Sequence, residues 1–365
     1  MKSLKDYVSL LEGGQVEYGR EELKSDDVCA KEAESVDPED IDLDSDADEV
    51  EESCYNEVLS LETAFVASGI IEASCCEAYV TNPSSSNYSK MTVTMEASLK
   101  ELWDKIKAFF KRIWNKVVSW FNKLKMYVFS IFMNGEKFIK KYKSEIEAKL
   151  STLNSRELKY DGYLFSDKKA DVALKSSSDL VKGIEKLINE AGKLKDLTVD
   201  EIKDKKKTLD EEFEDYSAEK VIEIYKDEIY GLKKIFKISP DVIRNELKFV
   251  LSDKSDLIKT VNEGSDNITN ILRDSERAIK KIETDLKDND EKSGVVREYC
   301  SSLTSAIGQY NTFNNASTRA IVSYANDRVS QAVALCRKVL GGSAAKESFE
   351  YNGSGSVLES VMNII

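Results

Sequence analysis

Histidine is absent from the 365-residue chain, proline occurs only three times, and the cysteines do not pair at metal-binding spacing. Without histidine there is no His-dependent triad, imidazole general base or imidazole metal ligand. The six cysteines, Cys29, Cys54, Cys75, Cys76, Cys300 and Cys336, include no C-x-x-C pair, so neither a zinc site nor a disulfide framework is expected. No apolar run approaches the roughly eighteen residues of a membrane span. Residues 1–14 lack the unbroken apolar centre of a secretory signal. No paired-carboxylate or phosphate-loop motif stands out. The sequence therefore offers no catalytic residue, no cofactor-binding residue and no metal ligand, and a non-enzymatic protein is expected.

What is present is helix-forming. Long stretches after residue 96 are rich in Lys, Glu, Leu, Ile and Ala, and 41% of the chain is hydrophobic. Charge is unevenly spread. Residues 1–96 hold 24 acidic and six basic side chains, a net of −18, whereas 97–365 carry +4. Asp37–Glu52 is mostly carboxylate, and self-repulsion with little apolar area to bury predicts disorder over 15–57. Residues 58–80 read as a short small-residue helix and TNPSSSNYSK (81–90) as a linker.

Four segments are expected: an amphipathic peptide (1–14), an acidic, mostly disordered pro-region and linker (15–96), a helical bundle (97–340) and a flexible tail (341–365). Helices are predicted at 97–133, ended by Asn134-Gly135, and at 136–150, 171–194, 199–236, 254–287 and 294–339. Thr198 and Glu201 form a capping box, and Ser239-Pro240 opens a further helix. LKYDGYLFSD (158–167) has a strand-like look and is read as a loop. Gly341-Gly342 ends the last helix. The tail closes on an apolar peptide, 357–365, after a Gly/Ser spacer. The fold class is all-α: an elongated antiparallel bundle of coiled-coil character behind a disordered acidic region.

All three tryptophans lie in 97–133. Leu99, Trp103, Ile106, Phe110, Ile113, Val117, Trp120, Leu124, Tyr127 and Ile131 alternate four and three apart as a heptad seam. Trp114, Phe121 and Val128 widen it. Lys105, Lys107, Lys111, Arg112, Lys116, Lys123 and Lys125 take the outer face. Two readings fit: a bundle core helix, or a basic aromatic helix lying on a membrane surface. Lysine–phosphate contact with nucleic acid is a third, without any base-reading motif.

The opening MKSLKDYVSLLEGG resembles the capsid-targeting peptide of internal head proteins of T4-like and giant tailed phages. Met1-Lys2-Ser3 matches the start, Tyr7-Val8 the aromatic-aliphatic pair, and Leu10-Leu11-Glu12 before Gly13 the prohead-protease preference. The peptide runs about two residues longer than the pattern. Similar motifs end at Glu62, Glu72, Glu96 and Glu350. The resemblance implies an internal virion protein, made in the host cytoplasm, targeted to the prohead and matured by prohead protease. Its partners would be scaffold, core and capsid proteins, with weak non-specific DNA contact and possible ejection with the DNA. A cut after Glu96 is expected where the backbone is extended ahead of a helix starting at Ala97. The alternatives are a membrane-surface protein acting through 97–133 and a cytosolic helical inhibitor or interaction protein.

Overall fold

A computed structural model describes residues 20–36, 41, 43–81, 85–153, 158–165, 178–191, 193–213, 233–252, 254–286 and 292–341. Eight α-helices and two strands follow in order among them, with a 3-10 turn at Leu194–Asp196: α1 Asp26–Ala33, α2 Leu43–Thr81, α3 Ser85–Leu150, β1 Lys159–Tyr163, α4 Ser178–Ala191, α5 Val199–Phe213, β2 Lys233–Lys237, α6 Pro240–Ser252, α7 Lys254–Leu286 and α8 Ser293–Leu340. The fold is all-α and elongated. α3 alone has 66 residues, a rod of about 100 Å at 1.5 Å per residue.

Cross-contacts give the directions. Ser98 Oγ lies 3.3 Å from Ser68 Oγ, and Arg112 pairs with Glu57, so α3 runs antiparallel to α2. Asn314 Nδ2 donates to the Gly264 carbonyl, as expected for antiparallel α7 and α8 joined by a short connection. Gly135 meets Val329 and the Arg337 guanidinium sits over Phe138, so α8 runs parallel to α3. The four long helices thus alternate in direction along the chain.

Their core is the heptad seam. Trp103, Ile106, Phe110, Ile113, Val117, Trp120, Leu124 and Ile131 are buried, with Phe121 and Val128 beside them, and Tyr127 is half-buried. The aromatic face is therefore inside the bundle and is not available to a membrane surface. The reason is numerical: α2, α7, α8 and α1 all pack on α3, leaving it buried on most sides between Val117 and Gly135. Among the described residues no helix is long and apolar enough to cross a membrane.

Several expectations need correction. Residues 97–133 and 136–150 are parts of one helix that starts at Ser85 and passes through Asn134-Gly135 without a break. Thr92, Val93 and Thr94 do not stop it; Thr94 Oγ1 donates back to the Lys90 carbonyl, and pairing with α2 outweighs a weak propensity. The acidic region is not disordered where it is described: α1 and α2 bury Cys29, Ala33, Val50, Cys54, Leu61 and Phe65. Two of its carboxylates meet cations of α3, Glu57 facing Arg112 and Asp26 facing Lys125. Beyond Ser68 on α2 and before Leu102 on α3, every side chain described is exposed or half-exposed, including Ile70, Val80 and Val93.

The strand-like 158–167 does form a strand. β1 pairs antiparallel with β2, Lys159 opposite Lys237 and Tyr163 opposite Lys233, inside the span expected to be one helix over 199–236. α5 is described from Val199 to Phe213, and residues 214–232 lie outside the described residues. The other boundaries follow their local chemistry. Thr198 Oγ1 accepts from the Glu201 amide at 3.3 Å while Glu201 accepts from the Thr198 amide at 2.7 Å, the capping box. That hydrogen bonding, backbone first, holds the Glu201 carboxyl below its usual range. Ser239 Oγ accepts from the Val242 amide at the start of α6. Gly341, at φ 63°, closes α8 with its amide on the Arg337 carbonyl.

Behind the ribbon, α6 and α8 share a buried ion pair. Arg328 Nε donates to Glu246 Oε2 at 3.3 Å and Nη1 to the Tyr324 hydroxyl at 2.5 Å. The guanidinium lies 4.2 Å from the Phe249 ring centre and 5.5 Å from that of Phe165, which follows β1. Burial pushes the Glu246 carboxyl upward, against the pull of Arg328.

Candidate functional site: a main-chain clamp on the N-terminal strap

Residues 20–25 are non-helical and lead into α1. They run along the groove between α3 and α7, and side chains of α3 read their main chain. Asn122 Oδ1 accepts from the Lys24 amide at 2.8 Å, and Asn122 Nδ2 donates to the Glu22 carbonyl at 3.1 Å. One carboxamide thus satisfies a donor and an acceptor two residues apart, which suits an extended segment. One heptad earlier, Asn115 Oδ1 accepts from the Glu21 amide at 3.0 Å. The Trp114 indole Nε1 donates to the Glu21 carbonyl at 2.9 Å.

Charge fixes both ends of this strap. Arg20 pairs with Glu276 of α7 and its guanidinium lies 5.2 Å from the Trp114 ring centre. Glu276 is partly desolvated, yet hydrogen bonds from Lys280 and Arg20 hold its carboxyl below the ordinary range. At the far end Asp26 accepts from Asn262 Nδ2 of α7 at 3.0 and 3.2 Å and faces Lys125 Nζ at 3.6 Å. Lys125 also donates to the Lys24 carbonyl at 3.4 Å. It is buried, a correction to its expected place on the outer face. Cys29 then anchors α1 in the core, where burial raises its thiol and keeps it protonated.

The expected partner-helix residues divide accordingly. Trp103, Phe110, Trp120 and Phe121 belong to the core; Trp114 serves the strap; Lys105 and Arg112 are exposed and Lys111 half-exposed. Arg112 is held by Glu57, and Lys105 by Glu101 at 2.9 Å. Of the expected processing sites, Glu62 and Glu72 lie within α2 and Glu96 within α3. The backbone at Glu96 is helical rather than extended. Glu12 and Glu350, like the peptide 1–14 and the tail 342–365, lie outside the described residues.

Asn115 and Asn122 were not singled out by the sequence. Their seven-residue spacing among lysines, next to Trp114, is the signal that marks them. The clamp holds a peptide; it has no nucleophile or proton-transfer pair. Cys29, Cys54, Cys300 and Cys336 are buried thiols outside any disulfide, with Cys300 and Cys336 pushed up to about 12 by burial. Among the described residues no three His, Cys, Asp or Glu side chains are grouped to hold a metal ion.

No family model matches the chain, and neither a curated protein nor a solved structure does.

Proposed function

We propose that the chain is a non-enzymatic internal protein of a phage head, brought into the prohead by its N-terminal peptide and trimmed there by prohead protease. The observation that carries this reading is the clamp on residues 20–25. Arg20 is fixed to Glu276, so only residues 15–19 separate that anchor from the peptide that resembles a capsid-targeting signal. Five residues span at most about 17 Å. The peptide is tethered to a rigid rod rather than joined through a long linker.

The same geometry ranks the processing sites. A protease requires extended backbone, and a cut after Glu12 leaves every described contact intact. A cut after Glu96 would interrupt α3 and break its covalent link to α2, which supplies Val50, Cys54, Leu61 and Phe65 to the core. The folded chain is therefore proposed to be trimmed at Glu12 and to keep its acidic segment. That segment neutralises cations of α3 instead of serving as a removable pro-region. Scaffold, core and capsid proteins and the prohead protease are the partners in this reading, and packaged DNA is the neighbour.

The test is incorporation. The full chain and a variant lacking residues 1–14 are expressed alongside assembling proheads, and particles are purified and analysed by mass spectrometry. The full chain is expected in the particles and the truncated chain in the unincorporated fraction. Equal incorporation of both would overturn the proposal.

A further inference from the structure

One end of the rod gathers cations. The last turns of α3 expose Lys137, Lys140, Lys141 and Lys143; the ribbon exposes Lys159, Lys234 and Lys237; α8 exposes Lys338. Side-chain contacts join these elements. Lys149 Nζ donates to the Leu340 carbonyl, and Arg337 covers Phe138. Lys338 Nζ donates to the Lys159 carbonyl and lies 5.7 Å from the Tyr160 ring centre. Tyr160 in turn packs on Phe236 of β2.

The ribbon's register places Lys159 directly opposite Lys237. Like charges in that position destabilise a strand pair, and Lys338, with its Nζ on the Lys159 carbonyl, adds a third cation at this end of the ribbon. None of the three forms an ion pair with a described carboxylate, and neither do Lys137, Lys143 and Lys234. Among the described acids nearby, Glu136 is used by Lys140 and Lys254 and Glu145 by Lys149, leaving Glu147 and Asp161. Glu57 is level with Arg112, so the start of α2 at Leu43 is level with about residue 126 of α3, well before Lys137.

We propose that this end, formed by the C-terminal turns of α3, the β1–β2 ribbon and the last turn of α8, binds the phosphate backbone of double-stranded DNA without regard to sequence. The inference rests on the reading that places the chain beside packaged DNA. Locally concentrated charge, not the small net charge of the whole 97–365 region, sets such attraction. Lysines act as point charges toward phosphates, whereas base reading needs side chains placed in a groove. A lipid surface fits less well. Surface-bound helices insert an apolar face, and here Phe138, Ile139, Ile146 and Leu150 are buried within the bundle.

The experiment uses the full chain and a labelled duplex of about 30 base pairs, followed by fluorescence anisotropy between about 50 and 200 mM salt. Phosphatidylserine vesicles are run in parallel. The plot of log affinity against log salt has a slope of about −0.9 per neutralised phosphate. The variant combining Lys159→Gln, Lys237→Gln and Lys338→Gln is expected to flatten it by about 2 to 3. The pair Lys137→Gln and Lys143→Gln, on the exposed side of α3, is expected to flatten it by about 1 to 2 and decides the matter if the triple variant loses its helical signal. Lys100→Gln, Lys105→Gln and Lys107→Gln, toward the other end of α3, are expected to leave it unchanged. No binding at the lowest salt, an unaltered slope in both cluster variants, or tighter binding to the vesicles than to the duplex would overturn the proposal. None of these outcomes depends on whether residues 1–14 direct incorporation, so the two proposals fail separately.

Discussion

Gly135 of α3 lies so close to Val329 of α8 that a Cβ on it would stand 2.7 Å from Val329 Cγ1, with Val250 of α6 at 3.1 Å. Three helices meet there because one has no side chain. Gly135→Ala gains up to about 1 kcal/mol of helix propensity but forces this crossing apart, at about 1–3 kcal/mol. A net loss of stability is expected in urea denaturation. Adding Val329→Ala is expected to restore part of it; if the single alanine stabilises, the close crossing is wrong.

The Glu246–Arg328 pair sets a pH dependence. Glu246 has a folded-state pKa above its unfolded value, so its protonated form favours the fold. Its contribution is complete below the unfolded value of 4.5 and is lost as pH rises through the folded one. Glu246→Gln is expected to hold or raise stability at pH 7 and to remove this slope. Arg328→Met leaves a buried carboxylate alone and is expected to cost about 3–5 kcal/mol at pH 7, recovered in part on acidification. Denaturation of the three chains at pH 5 and pH 7 checks both.

Asn122 joins two main-chain groups of the strap. Asn122→Ala is expected to weaken docking by about 1–3 kcal/mol, from two hydrogen bonds of about 1 kcal/mol each and an exposed partner at either end. The readout is amide exchange of residues 20–25, which should quicken while α8 is unchanged. Acid is expected to loosen the same segment. Glu276 is held below its unfolded value, so its stabilisation is present above 4.5 and lost as pH falls through the folded value. Unchanged exchange in Asn122→Ala would remove the clamp.

Asn311 and Asn315 of α8 are fully buried, and their carboxamides have no hydrogen-bond partner among the described residues. Such a group costs about 1–3 kcal/mol. Asn315→Leu is therefore expected to raise the thermal midpoint. A fall would mean that ordered water holds the carboxamide.

Where the sequence states a repeating pattern, the structure repeats it. The seam from Trp103 to Ile131 is buried, and the starts of α5 and α6 sit where Thr198, Glu201 and Ser239 place them. What was illegible depends on distant partners. Gly135 reads as a helix stop until Val329 is set beside it. The acidic segment reads as disordered until Arg112 and Lys125 oppose it. KKIFK is too short to signal a strand without LKYDGY to pair with. The clamp needs both Asn122 and a peptide 98 residues away in sequence.

The most direct measurement is terminal-peptide mass spectrometry of the chain recovered from mature particles. The account predicts a mature N-terminus at Gly13, with peptides from α1 and α2 retained in the same chain. Recovery of chains beginning at Met1 alone, or of chains beginning at Ala97 with residues 15–96 missing, would contradict it.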